Sequence, residues 1–139
     1  MSGRTFIDSN ILLYAHDWAS PAKQFQASDI LAELWDKSEL VLSRQVLQEF
    51  YVNVTRKLAK PLPRKKAREV VEDFSLWCVE TSPEMMRDAF SIEDSTNLSF
   101  WDALIVAAAV KSGATRILSE DLSSGQRIRG IKIENPFAR

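Results

Sequence analysis

Four acidic residues stand where solubility does not call for charge. Asp8 closes the apolar run Thr5-Phe6-Ile7, and Glu49 lies among Val46, Phe50 and Val54 on one side of a helical stretch. Asp102 opens the almost wholly apolar segment Ala103 to Val110, and Asp121 follows Arg116-Ile117-Leu118-Ser119. One such acid is common; four spread over the chain imply a single carboxylate cluster. Two carboxylates about 4 Å apart repel by roughly 4 kcal/mol at an effective dielectric near 20. Protons or a cation must relieve that repulsion, and an all-oxygen donor set is what Mg²⁺ and Mn²⁺ take. Convergent carboxylates without a His or Lys base suit metal-assisted hydrolysis, in which the ion activates water and offsets developing charge. A phosphodiester is the natural substrate, because its phosphate supplies the remaining metal ligands.

Each acid also has a plain local reading. Ser99-x-x-Asp102 is close to a capping box. Asp8, followed by Ser9-Asn10, suits the cap of a short helix after a strand. Asp121, within Glu-Asp-Leu-Ser-Ser-Gly, fits an ordinary loop, and Glu49 could snorkel from the edge of its helix face. These readings do not exclude a shared site.

The elements that must position the acids follow from the apolar pattern. Short apolar runs alternate with longer helical segments, which predicts an α/β domain with a parallel sheet. Strands are expected at about Arg4 to Ile7, Leu40 to Leu42, Arg116 to Ser119 and Lys132 to Glu134. A short helix is expected over Asn10 to Ala15. A longer one spans Ala22 to Lys37, with Phe25, Ile30, Leu31 and Leu34 near helical spacing. Ser43 caps a helix that reaches about Leu58, where Pro61 and Pro63 forbid continuation. Arg64 to Cys78 reads as one helix with Val70, Val71, Phe74 and Trp77 inward. Ser82-Pro83-Glu84 starts another that fades near Glu93. Phe100 to Ser112 is apolar all round, which makes it a central helix, and Gly113 stops it. In this arrangement Asp8 and Asp121 both fall just past the C-terminal ends of parallel strands, the edge where open α/β sheets bind ligands. Asp102 lies in a first helical turn, where the helix dipole favours an anion. Asn53, one turn after Glu49, shares its face.

Composition narrows the classes further. A chain of 139 residues is expected to form one domain, with a core large enough to need no staples. One cysteine, Cys78, permits no intrachain disulfide, and one Cys with one His disfavours zinc. The start, Met-Ser-Gly-Arg-Thr-Phe, has no long apolar stretch, and Ala103 to Val110 is too short to cross a membrane, so a cytoplasmic protein is expected. The net charge of -1 hides an asymmetry. Arg56 to Arg68 carries seven basic residues in thirteen and no acid, which leaves eleven basic residues against nineteen acids elsewhere. Such a run is often a solvated face, but it can also bind phosphates with little sequence information. Trp18, Trp35, Trp77 and Trp101 are expected mostly in the core; Trp101, next to Asp102, is the one placed to meet a base. His16 reads as a surface or cap residue and Cys78 as a small core residue.

Four segments, Phe6-Ile7-Asp8-Ser9-Asn10, Gln48-Glu49-Phe50, Phe100-Trp101-Asp102-Ala103-Leu104-Ile105 and Leu118-Ser119-Glu120-Asp121-Leu122, together resemble the acidic motifs of PIN-domain ribonucleases, in the family's order and over nearly the whole chain. The short single domain is similar to the VapC-type toxins of toxin–antitoxin pairs. That resemblance implies one PIN-like domain over residues 1–139, an α/β/α sandwich with a central parallel sheet flanked by helices. It implies a metal-dependent endoribonuclease acting on RNA, with Asp8, Glu49, Asp102 and Asp121 both catalytic and around Mg²⁺, for which Mn²⁺ substitutes. Asn10 and Ser119 match polar positions that support the acids, and Glu120 is a secondary candidate. A homodimer and a cognate antitoxin that blocks the site are also implied. Two other functions remain open at this point: a non-catalytic RNA-binding module of the same fold, and a phosphohydrolase acting on small molecules, which the basic run disfavours.

Overall fold

The computed structural model describes residues 3–122 and 124–138. Among the described residues six strands form one sheet: β1 (Arg4–Ile7), β2 (Leu40–Ser43), β3 (Cys78–Val79), β4 (Ala114–Leu118), β5 (Arg127–Ile128) and β6 (Ile131–Glu134). Their spatial order is β3-β2-β1-β4-β6-β5. Every pairing is parallel except β5 against β6. Phe6 pairs with Val41 on one side and Ile117 on the other, and Ile117 pairs in turn with Ile133. All four residues of β2 and the last three of β1 are buried. Consecutive burial requires cover on both faces, which is the parallel-sheet expectation.

That cover comes from six helices: α1 (Ser9–Tyr14), α2 (Pro21–Asp36), α3 (Arg44–Arg56), α4 (Arg64–Phe74), α5 (Pro83–Ser95) and α6 (Phe100–Lys111). Helix α3 buries Val46, Leu47, Phe50 and Val54, one stripe at 3.6-residue spacing, so the solvent side is left for Glu49 and Asn53 to border. Helix α6 buries Ala103 and the continuous run Ile105 to Ala109. Its alanines let the backbone approach its neighbours closely. Gly113 follows at φ +76°, a left-handed conformation that favours glycine and ends the helix. The topology fixes the site. The chain leaves β1 towards β2 and β3, then returns to the other side of β1 as β4. The crevice between the C-terminal ends of β1 and β4 is therefore a switch point, where open sheets bind ligands.

Several expectations need correction. The segment Arg64 to Cys78 is not one helix. It breaks at Phe74, passes through a 3-10 turn at Ser75–Trp77 and enters β3. Cys78 pairs with Leu42 and Val79 with Ser43, so backbone bonds to the sheet edge replace a last helical turn. Cys78 is half-buried there rather than a core residue. Strands β3 and β5, two residues each, carry too little pattern to be seen in sequence. Helix α5 continues to Ser95. Phe25 is 73 % exposed because the buried stripe of α2 runs through Ala27, Leu31 and Leu34; two residues before Ala27 is the opposite side of a helix. Trp18 and Trp101 are exposed, while Trp35 and Trp77 pack edge to face at 5.5 Å against the core. Among the described residues, no helix is long and apolar enough to cross a membrane.

Candidate metal centre

The switch-point crevice opens into a cavity of about 500 Å³. Asp8, Glu49, Asp102 and Asp121 all line it, so four acids separated by up to 113 residues in sequence face one space. Ser9, Asn53, Val52, Ile105 and Lys57 complete much of the wall. Lys57 is the one member of the basic run that lines it.

Asp8 is the most constrained acid. It follows β1 directly, and its amide donates to the Leu118 carbonyl at 3.0 Å, which extends the ladder to β4. Its Oδ1 accepts from the Ser9 amide at 2.7 Å, capping α1, and its Oδ2 accepts from the Ser119 hydroxyl at 2.7 Å. Burial pushes its carboxyl up from 3.8 to about 6. The bonds from Ser119 and Ser9 oppose this, and the negative charges of Glu49 and Asp121 reinforce it. The capping role and the site role coexist.

Asp121 is held through its neighbours. The fully buried Ser119 hydroxyl accepts from the Asp121 and Leu122 amides at 3.1 and 3.2 Å, which closes the turn after β4. Asn10 Nδ2 donates to Asp121 Oδ2 at 3.2 Å and to Ser119 Oγ at 3.4 Å, and Asn10 Oδ1 accepts from the Glu120 amide at 3.1 Å. Asn10 and Ser119 thus bind the first and last acid-bearing turns together. Ser119 also has only one proton to give, and its other contacts all donate to it, so that proton goes to Asp8.

Asp102 lies in the first turn of α6, where the Ser99 hydroxyl accepts from its amide at 3.2 Å. Burial raises its carboxyl, Ser99 opposes the rise and Asp121 adds to it. Glu49 projects from α3, and Gln45 Nε2 donates to its Oε2 at 3.4 Å. Glu120 points away from the cavity. It accepts from Tyr14 and Lys23, both at 2.6 Å, and their pull outweighs burial and holds its carboxyl low. It is a strut that ties the turn after β4 to α1 and α2. His16 is half-buried, with Nδ1 2.9 Å from the Leu12 carbonyl and its ring 5.4 Å from Phe50, so it takes no part in the acid cavity. The sequence reading missed Gln45 and Lys57. Gln45 had a signal, a position four residues before Glu49; Lys57 had none beyond the run that contains it.

The donor chemistry fits a hard divalent cation. Oxygen donors face one space, their charge is opposed there by one lysine, and burial with the neighbouring carboxylates of Glu49 and Asp121 disfavours the Asp8 anion. The fit is an open one. Among the described residues, no group of three or more His, Cys, Asp or Glu side chains is set to hold an ion as it stands. Mg²⁺ keeps several of its waters and needs only one or two direct carboxylates, so an open ring of acids can serve it.

Comparison with known proteins agrees with this fold. The family model of the PIN domain matches residues 5–124. Among curated proteins, none matches the sequence. A crystal structure of VapBC2 from Rickettsia felis, bound to a fragment of promoter DNA, has a chain similar to this one at 17% identity and a TM-score of 0.66, over 94% of this chain and 97% of that one. A toxin–antitoxin complex from Klebsiella pneumoniae is similar at 15% identity and a TM-score of 0.67, over 96% and 98%. VapC20 from Mycobacterium tuberculosis, a toxin that cleaves the sarcin–ricin loop, is similar at 18% identity and a TM-score of 0.58, over 81% and 86%. At these identities the likeness is one of fold.

Proposed function

The chain belongs to the PIN domain family, and from that premise we propose that it is a metal-dependent endoribonuclease, the toxin of a toxin–antitoxin pair. The observation that carries the reading is the convergence of Asp8, Glu49, Asp102 and Asp121 on one cavity that Lys57 also lines. The acids would hold Mg²⁺, or Mn²⁺ in its place, some directly and others through water. When bound, the ion supplies an activated water and offsets charge on the phosphate. The chain's own residues do the rest. Ser9 and Ser119 fix the orientation of Asp8, and Asn10 keeps Asp121 from swinging out of the cavity. Lys57 pairs with a substrate phosphate and draws the polyanion to an otherwise acidic opening. Val52 and Ile105 give the cavity apolar walls, which strengthen each charge interaction inside it.

RNA is the substrate favoured over a small phosphate ester, because Lys57 continues into the basic segment that ends at Arg68. The antitoxin partner follows from the assemblies of the similar structures, and the excess of acids in the cavity suits a blocking segment that carries a cationic side chain. A homodimer formed through helices of the first half belongs to the same reading. A toxin co-purifies with the neighbouring gene's product and is inhibited by it; a free, uninhibited monomer would remove the toxin label and leave the nuclease.

One observation favours a second reading, a cleavage-silent RNA-binding module: the acids are not gathered round an ion site as they stand. Cleavage of total cellular RNA by the purified protein decides between the two, with wild type beside Asp8→Asn and Asp102→Asn in Mg²⁺, Mn²⁺ or EDTA. Discrete fragments that need metal and vanish in the variants support the nuclease. Equal behaviour of all three proteins, with any antitoxin removed, sinks it.

A further inference from the structure

Beside the acid cavity lies a second, smaller one of about 220 Å³, walled by residues of α3, α5 and α6 with Ser43 and Thr81. Gln48 lines both cavities, so they adjoin. Trp101 forms part of the smaller one and immediately precedes Asp102 in the acid cavity. Gln45 ties the two walls together: its Nε2 donates to Glu49 Oε2 and, at 3.2 Å, to the Trp101 carbonyl.

Two features of this second cavity lack a structural explanation in the free protein. The first is Trp101, which is 62 % exposed although its helix buries Ala103 and the run Ile105 to Ala109. It is held rather than loose. Its ring stands edge to face on Phe100 at 5.2 Å, and Phe100 rests on Phe90 at 5.6 Å. A large aromatic face kept in water and braced from behind is a platform for another flat group. The second is Gln45 Oε1, which is buried with no hydrogen-bond partner. Exchanging the amide's two ends would turn that oxygen towards the Glu49 and Trp101 oxygens, so the orientation is fixed and the oxygen stays unpaired. Gln45 lines the cavity, so a donor entering it comes within reach of that side chain.

We propose that this cavity is a base subsite, which takes one unstacked nucleobase of single-stranded RNA from the nucleotide next to the bond that is cut. The base stacks on the Trp101 indole and offers a donor edge to Gln45, while its own phosphate reaches the acids across the wall at Gln48. Stacking on an aromatic face is tolerant of base identity, so Trp101 gives affinity and register, and the donor edge gives a bias towards bases with an exocyclic amine. The subsite rests on the ribonuclease reading and adds to it where the strand is gripped.

The test uses a short single-stranded RNA that spans a mapped cleavage site, with abasic sugars placed singly on either side of the bond. Binding is read with the full-length Asp8→Asn protein, and cleavage with the wild-type background. Trp101→Ala should weaken binding and raise KM roughly ten- to a hundredfold with kcat little changed, and Trp101→Phe should restore most of the loss. An abasic sugar at one flanking position should cost the wild type as much. In Trp101→Ala it should cost much less, because the stacking platform is already gone and only the contact with Gln45 is left to lose. Full and independent losses from the two changes overturn the proposal, as does unchanged RNA affinity in Trp101→Ala. A variant that loses only inhibition by the antitoxin would assign the cavity to the protein partner and overturn it too. If the wild type cuts no RNA, the ribonuclease reading fails, while binding of a single-stranded oligonucleotide, with and without abasic sugars, to the Asp8→Asn protein with and without Trp101→Ala still decides whether a base stacks in this cavity.

Discussion

Replacing Asp8 by Asn should make the metal-free protein more stable at neutral pH and leave it little changed in acid. Burial raises the Asp8 carboxyl from 3.8 to about 6, so the folded state holds its proton more tightly than the unfolded chain does. Protonated Asp8 therefore favours the fold. That contribution is complete below about pH 3.8 and is lost as the pH rises through about 6. Between pH 4 and 7.5 the loss amounts to about 2.5 kcal/mol, from the ratio of proton occupancies at roughly 1.4 kcal/mol per pH unit. Asn resembles the neutral acid in size and has no charge to lose. Like the neutral acid, it has one donor end, which must face either the Ser9 amide or the Ser119 hydroxyl, both of them donors. Any constant penalty from that contact cancels when wild type and variant are compared across pH. Chemical denaturation in EDTA at pH 4 and 7.5 measures the difference. The variant's advantage should grow by about 2.5 kcal/mol, or roughly 10 °C in melting temperature for a domain of this size. Saturating Mg²⁺ at pH 7.5 should narrow the gap, because the ion binds the folded wild type better than the variant. A gap that is equal at the two pH values would show that the crevice does not desolvate Asp8, and would remove the electrostatic reason for a cation there.

Three further outcomes follow from the same geometry. Ser119→Ala removes the donor to Asp8 and the acceptor of the Asp121 and Leu122 amides, inside a fully buried site. It should cost about 1–3 kcal/mol by urea unfolding at pH 7 and push the Asp8 midpoint further up, and Ser119→Thr should recover part of both. Lys57→Ala should leave the fold intact, weaken RNA binding, and lower the slope of log affinity against log salt by about 1 if one phosphate contact is lost. Glu120→Gln cuts a partly exposed pair with Lys23, so unfolding should register less than about 1 kcal/mol, with nuclease activity close to that of the wild type. A collapse of activity there would mean that Glu120 turns into the cavity when substrate binds.

What a sequence reveals of its fold depends on the range of the forces involved. Strand, cap and helix signals act over a few residues. The bounds of β1, the starts of β2 and α6, the cap at Ser43 and the stop at Gly113 follow from Thr5-Phe6-Ile7, from a hydroxyl before an apolar face and from a residue that accepts positive φ. The same short-range logic placed Asp8 and Asp121 at strand ends. It failed where tertiary pairing outweighs local preference. Cys78 and Val79 leave a helical pattern because β2 offers them backbone partners, and β5 exists only as the return stroke against β6. It failed also for Phe25 and Trp101, because apolar character does not say which stripe of a helix the core will take.

From the sequence alone came the expectation that four acids face one space, since solubility does not explain their positions. Only the tertiary structure decided what stands around them. Asp8 meets Ser119 at 2.7 Å because β4 lies beside β1, and this brings together residues 111 apart in the chain. Lys57 was chosen from seven cations, Gln45 was joined to both Glu49 and Trp101, and Glu120 was turned outward to Lys23. Side-chain type and local spacing fix what chemistry a residue can do. Strand order and helix packing fix which residues come within reach of it, and those are set by burial of the whole core rather than by any short stretch of chain.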